Sequence, residues 1–286
     1  MAEQPAPSSV APGAQAEDAR ATGVGRVAAA FAAAREQGRA ALMPYMMGGF
    51  PDQRTADAVA EAYVEAGADL VELGVPFSDP LADGPVIHAA DTAALAAGAT
   101  LESVLQTCAA IADRVPVALM SYVNMVLARG APEFAAAVAE AGAAAVIVPD
   151  LPLEEQAPMG ETLSERGIAL VPMVAPTTPA ERRASICGGA EGFVYVVSTV
   201  GVTGERTELP AELTDLVAAV KREASVPAAV GFGISTPEQA AAVGEVADGV
   251  IIGSRLVREV ADAADPEGAA AAVGAFLRET HAALAR

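Results

Sequence analysis

The chain has no tryptophan, a single lysine (Lys221), two cysteines and two histidines in 286 residues, and aromatic residues make up only 4% of it. Each scarcity excludes something. Two cysteines, Cys108 and Cys187, are no disulfide framework for a chain of this length. A reducing compartment is the simpler reading, with both thiols acting as small buried hydrophobes on helices. His88 and His281 form no metal-ligand cluster with acidic residues and read as structural or surface groups, so no metal is called for. The lone lysine falls in a helical stretch, which leaves no buried strand lysine for Schiff-base chemistry. Long apolar runs are missing too. The mean hydropathy is +0.37 and 53% of residues are hydrophobic, yet alanine, a helix former, supplies much of that. No run of eighteen apolar residues is free of a charge or a Pro or Gly break. Basic charge is equally scarce: 17 Lys and Arg face 37 Asp and Glu, for a net charge of −20. That balance argues against nucleic acid, whose phosphates need a basic footprint, while leaving room for a local site for a small anion. The first residues lack the basic flank and apolar core of a signal peptide. A soluble, cytoplasmic protein is the expectation.

What is present is a repeating pattern. Residues 1–22, rich in Ala, Pro, Ser and Glu without apolar periodicity, read as a disordered tail. Val24, Val27, Ala28, Phe31 and Ala34 then recur at helical spacing, and Gly38 can end that helix. Short apolar runs follow at Ala41–Met47, Leu70–Val75, Val117–Tyr122, Ala145–Val148, Ile168–Val174, Phe193–Val197, Val226–Val230 and Val250–Ile252. Helical periodicity fills stretches between them, as at Thr55–Ala66, Pro132–Ala141, Pro210–Glu223 and Pro237–Val246. Strands alternating with helices imply βαβ units and a parallel sheet covered on both faces. About eight such units in one domain, residues 23–286, predict an α/β fold of the (β/α)8 TIM-barrel type with an additional N-terminal helix. The alternative, an open doubly wound sheet, is disfavoured because no Gly-rich dinucleotide fingerprint opens an early helix.

Two segments carry chemistry. In the second strand, Leu70, Glu72 and Gly74 share one face while Val71, Leu73 and Val75 share the other. Glu72 therefore interrupts an apolar strand near its C-terminal end, where barrels do their chemistry. An ion-paired strand residue is the plain alternative, but an enclosed unpaired carboxylate is costly and calls for a reason. The next loop supplies Ser78, Asp79 and Asp83, types that also serve simply as turn residues. Late in the chain, Gly231-Phe-Gly-Ile-Ser-Thr-Pro-Glu238 and Gly253-Ser254-Arg255 each follow a strand and open a helix. Glycine lets backbone N–H groups approach an anion, helix N-termini attract one, and the loops after strands seven and eight are a frequent phosphate site in barrels. Val200-Gly-Val-Thr-Gly204 offers a third contribution. It sits in a segment, Ser198–Pro210, that is longer than the usual βα loop and reads as a lid.

The run Glu72-Leu-Gly-Val-Pro-Phe-Ser-Asp-Pro-Leu-Ala-Asp-Gly-Pro85 resembles the hallmark segment of the tryptophan synthase alpha chain family. Pro149-Asp-Leu-Pro152, Tyr195-Val-Val-Ser198, Gly201-Val-Thr-Gly204, Gly231-Phe-Gly-Ile-Ser235 and Gly253-Ser254 are similar to that family's later landmarks, in the same order. The likeness spans the chain from about residue 25. It implies cleavage of indole-3-glycerol phosphate to indole and D-glyceraldehyde 3-phosphate, the indole passing to a beta chain that makes L-tryptophan. By the same resemblance Glu72 and Asp83 are the catalytic pair, Tyr195 and Tyr122 bind substrate, and Gly204, Gly233, Gly253 and Ser254 contact phosphate. No cofactor is implied in this chain; pyridoxal phosphate belongs to the beta partner of an alpha2-beta2 complex. Thr199 stands where some members have an arginine in the mobile loop, and Tyr45 and Met47 stand where others have Phe and Thr near the indole pocket.

The chemistry implied is specific. Glu72 would protonate the departing ring carbon and then take the hydroxyl proton, helped by a pKa raised through desolvation. Asp83, in a polar loop, would stay ionised and accept the indole N–H. Other phosphate-binding barrels, a non-catalytic regulatory subunit and a stand-alone indole-releasing lyase are the competing readings.

Overall fold

A computed structural model describes residues 22–198, 210–231 and 233–285. The eight apolar runs become a sheet of parallel strands: β1 (Ala41–Met47), β2 (Val71–Gly74), β3 (Val117–Met120), β4 (Ala145–Ile147), β5 (Ala169–Val171), β6 (Met173–Val174), β7 (Val194–Val197), β8 (Ala228–Gly231) and β9 (Gly249–Ile252). Their spatial order is β5-β4-β3-β2-β1-β9-β8-β7-β6. β5 and β6 are one run divided at Pro172, which has no N–H to donate to a ladder. Its carbonyl still accepts the Tyr195 N–H at 2.9 Å. Since β5 pairs with β4 and β6 with β7, the run Ile168–Val174 joins the two ends of the sheet and the barrel is nearly closed. The nine strands are therefore the eight of a (β/α)8 barrel with the fifth interrupted. The thiols sit as anticipated, both buried: Cys108 on the helix Leu101–Ile111 and Cys187 on the helix Ala180–Gly188.

The core has two layers, and their separation places Glu72. Leu42, Val71, Leu73, Leu119, Val146, Val196, Val230 and Ile252 point outward and join the surrounding helices in one cluster. Met43, Leu70, Ala118, Ile147, Val171, Phe193, Ala229 and Ile251 point inward and form the other. With Leu70 inward and Val71 and Leu73 outward, strand alternation turns Glu72 into the barrel. The N-terminal helix α1 (Gly23–Glu36) closes the floor. Its Val27, Phe31 and Ala34 belong to the inner cluster, and the Phe31 and Phe193 rings lie 5.8 Å apart. Arg26 donates to the carbonyls of Gly142, Ala112 and Val115, which satisfies backbone acceptors where strands enter the barrel. A closed floor leaves the C-terminal mouth as the way in. Among the described residues, no single helix is long and apolar enough to cross a membrane.

Boundaries differ slightly from those read in the sequence. The helix anticipated at Thr55–Ala66 is α2 (Gln53–Glu65), because the Asp52 side chain accepts the Thr55 N–H at 2.9 Å and caps it two residues earlier. Thr22, read in the sequence as the last residue of the tail, instead caps α1; residues 1–21 lie outside the described part.

Candidate active site

A cavity of about 310 Å³ opens at the C-terminal mouth, in the size range of small-ligand sites. Glu72, Asp83, Tyr195, Gly233, Gly253 and Ser254 all line it. Tyr122 is anchored beside it, donating its hydroxyl to Asp83 Oδ2 at 2.8 Å. One barrel mouth thus gathers residues scattered from 72 to 254. Gly204, Thr199 and the segment Ser198–Pro210 anticipated as a lid fall, apart from the two end residues of that segment, outside the described residues.

Glu72 is 1% exposed. Its Oε2 has no hydrogen-bond partner, and β1 places Tyr45 in register beside it while β3 places Ala118 on its other side. Desolvation first, and the nearby Asp83 charge second, push its pKa up to about 8. The carboxyl is therefore held protonated near neutrality, as a proton donor needs.

Asp83 has a different setting. It lies on the loop between β2 and α3 (Pro85–Ala96). Burial raises its pKa, while the Tyr122 hydroxyl and the charge of His88 pull it down. The loop is more enclosed than a polar turn would suggest, and burial outweighs both partners, so the net shift is upward. His88, which the sequence offers only as a surface or structural group, has this electrostatic role as well. Tyr122 also accepts the Ala82 N–H at 3.0 Å, and its ring stacks on Phe77 with centroids 5.1 Å apart.

The anion end uses backbone. Gly253 and Ser254 form the N-terminus of α11 (Ser254–Asp262), which no side chain caps. The first N–H groups of that helix are free for a ligand at the cavity. Gly233 has φ +84, a conformation that favours glycine. Gly231 has another task than phosphate contact. A Cβ there would sit 2.3 Å from the Tyr195 hydroxyl, and one at Gly74 would sit 2.3 Å from the Tyr45 hydroxyl. Two strand-end glycines therefore make room for two tyrosines that line the same cavity as Glu72.

Several lining residues escape sequence reasoning: Met120, Met173, Ile87, Thr178 and Ile251. Most are apolar side chains whose only signal is their place at or near the C-terminal end of a strand. Asp91 escapes too. It is 1% exposed, accepts the Phe77 N–H at 3.0 Å, and burial, opposed by that N–H and reinforced by Asp83, pushes its pKa up to about 7. A signal for it exists, because Asp91 falls on the buried face of α3 with Ile87, Ala90 and Ala94. Among the described residues no group of three or more His, Cys, Asp or Glu is arranged to hold a metal. Lys221, on α9 (Ala211–Glu223), bonds Asp248 at 2.8 Å far from the mouth, which removes it as a Schiff-base nucleophile.

A (β/α)8 barrel whose mouth gathers an enclosed glutamate with a raised pKa, a loop aspartate and an uncapped helix N-terminus is suited to proton-transfer chemistry on a small anionic molecule, the class of a small-molecule lyase. Residues 31–285 match the family model for the tryptophan synthase alpha chain. The chain is 46% identical over 256 residues to the tryptophan synthase alpha chain of Prochlorococcus marinus (strain MIT 9313), covering 88% of this chain and 93% of the relative. It is 42% identical over 264 residues to that of Chloroflexus aurantiacus (strain ATCC 29364 / DSM 637 / Y-400-fl), covering 91% and 99%. Its fold superposes on Mycobacterium tuberculosis tryptophan synthase with a TM-score of 0.84 at 35% identity, covering 91% of this chain and 98% of that one. The chain belongs to the tryptophan synthase alpha chain family. It is a lyase acting on indole-3-glycerol phosphate, with the indole passed on to a beta subunit.

Proposed function

We propose that Glu72 and Asp83 share the cleavage chemistry, Glu72 as the acid and Asp83 as the carboxylate that meets the ring nitrogen. The observation that carries this reading is the pairing of a fully enclosed glutamate with an aspartate held by the Tyr122 hydroxyl, across one 310 Å³ cavity. Protonated Glu72 gives its proton to the ring carbon that bears the glycerol phosphate chain, and the ring becomes an indoleninium cation. Asp83 accepts the N–H of that cation and stabilises the positive charge. The Glu72 carboxylate then takes the proton of the hydroxyl on the adjacent chain carbon. The carbon–carbon bond breaks, its electron pair returns to the ring, and the oxygen becomes the aldehyde of glyceraldehyde 3-phosphate. The proton count closes, because Glu72 ends protonated. Tyr195 walls the indole end and Tyr122 acts behind it by holding Asp83, while the N–H groups at Gly233, Gly253 and Ser254 receive the phosphate.

Gly253 is the cleaner test of the anion end. At Gly233 any side chain is strained by the positive φ, whereas at Gly253 the atoms nearest an added Cβ belong to Tyr45, at an ordinary 3.6 Å. Gly253→Val should therefore fold with an unchanged melting temperature. Its KM should rise by about tenfold or more, as loss of uniform binding does, and inorganic phosphate should no longer compete with substrate. Unaltered KM would remove the phosphate from this loop.

The partner is proposed to be a pyridoxal phosphate-dependent beta chain in an alpha2-beta2 complex in the cytoplasm. Leu81, on the loop that carries Asp83, is 92% exposed, and Leu127 on α5 (Val123–Arg129), the segment after β3, is 65% exposed. Large apolar side chains left bare at the mouth fit a docking face. Indole release should be slow for the chain alone and rise by about tenfold or more with a cognate beta chain, in the range of ordinary coupling energies. Fast release unaffected by any beta chain would favour the stand-alone lyase instead.

A further inference from the structure

We propose that Asp91 is a positioning residue for Asp83, acting through the backbone of Phe77 and the ring of Tyr122. The links are continuous. Asp91 Oδ1 accepts the Phe77 N–H at 3.0 Å. The Phe77 ring stacks on Tyr122 with an interplanar angle of 26°. The Tyr122 hydroxyl then donates to Asp83 Oδ2 at 2.8 Å and accepts the Ala82 N–H from the same loop. Asp91 therefore sets the entry of the β2–α3 loop, and the stack carries that setting to the residue that holds the catalytic aspartate.

The cost of Asp91 is what distinguishes this from incidental packing. Its helix face is apolar, with Ile87, Ala90 and Ala94 for neighbours, and its Oδ2 is buried without a hydrogen-bond partner. An apolar residue of similar volume would avoid that desolvation. What only a polar acceptor gives at this position is the bond to Phe77.

The inference rests on Asp83 acting at the indole nitrogen, and its test keeps the two apart. Asp91→Leu in the full-length chain should melt at the same or a higher temperature. Its kcat for indole release should fall by about tenfold, because a small displacement of a catalytic group is amplified in rate. KM should stay within about twofold, since the phosphate end is untouched. Should the leucine variant not fold, Asp91→Ala takes its place with the same expectations. Asp91→Asn, which keeps an acceptor for the Phe77 N–H, should recover kcat to within about threefold of wild type. In a Tyr122→Phe background the link to Asp83 is already cut, so adding Asp91→Leu should change kcat by less than about threefold. Wild-type kcat in Asp91→Leu, an asparagine variant as impaired as the leucine one, or a full tenfold further loss in the Tyr122→Phe background would each overturn the inference. Asp83→Asn, assayed alongside, separates the failures. If it is impaired while Asp91→Leu is not, only the positioning role falls; if it turns over normally, the reading of Asp83 falls with it.

Discussion

Glu72→Gln should fold normally and lose turnover by about 10²-fold or more, the usual cost of removing a general acid. Glutamine fills the same volume and carries no charge, so the enclosed wall of the barrel tolerates it, but it has no proton to give. The wild-type pH profile should show the same group. With its pKa up near 8, Glu72 loses its proton as pH rises through that value, and kcat/KM should fall on the alkaline side. Stability follows the same sign. The folded-state pKa lies above the ordinary value of 4.5, so the folded chain binds more protons than the unfolded one between about pH 4.5 and 8. Stability is fully present below that window and declines across it as pH rises. Thermal melts at pH 5 and pH 8.5 should therefore draw closer together in Glu72→Gln than in wild type. A correctly folded glutamine variant with wild-type turnover would sink the proposed role.

Asp83→Asn should lower kcat by about 10²-fold, equivalent to about 2.7 kcal/mol of transition-state stabilisation. Asparagine still accepts the Tyr122 hydroxyl, so the loop keeps its shape. What it lacks is the negative charge that meets the indoleninium cation. An unreactive substrate analogue should accordingly bind the variant with little change, since the ground-state ring is neutral. Calorimetric titration with the analogue, beside the turnover assay, separates the two effects. Equal losses in binding and in kcat would mean that Asp83 holds the ground state rather than the cation. The acid side of the wild-type profile should belong partly to this group. Burial raises its pKa, and protonation as pH falls removes the charge the reaction needs.

Much of the site was legible along the chain because strand alternation is a local rule. Glu72 stands out against Leu70 to Val75 whatever surrounds it, and the pattern alone puts it on one face with Leu70 and Gly74. The same holds for the alternation of strands and helices, the extra N-terminal helix, the buried thiols and the glycines at the late loops. Their causes lie within a few residues of each other. The long motif around Asp83 added the residue pairing that no periodicity contains.

Other features needed the barrel to close. The split of the fifth strand at Pro172 has meaning only once β5 and β6 pair with opposite ends of the sheet. That Gly231 yields space to Tyr195, and Gly74 to Tyr45, is set by neighbouring strands some thirty residues apart. The enclosure of Asp83 contradicts the polar setting that its own loop suggests, because the covering ring of Tyr122 comes from the next βα unit. Asp91 has a periodic signal on its helix, but its partner, the Phe77 N–H, is fixed by how the loop folds back. Sequence by itself determined which residues share a strand face and roughly where strands lie; which face turns inward, which residues meet, and how far each is removed from water, was decided by closure of the barrel.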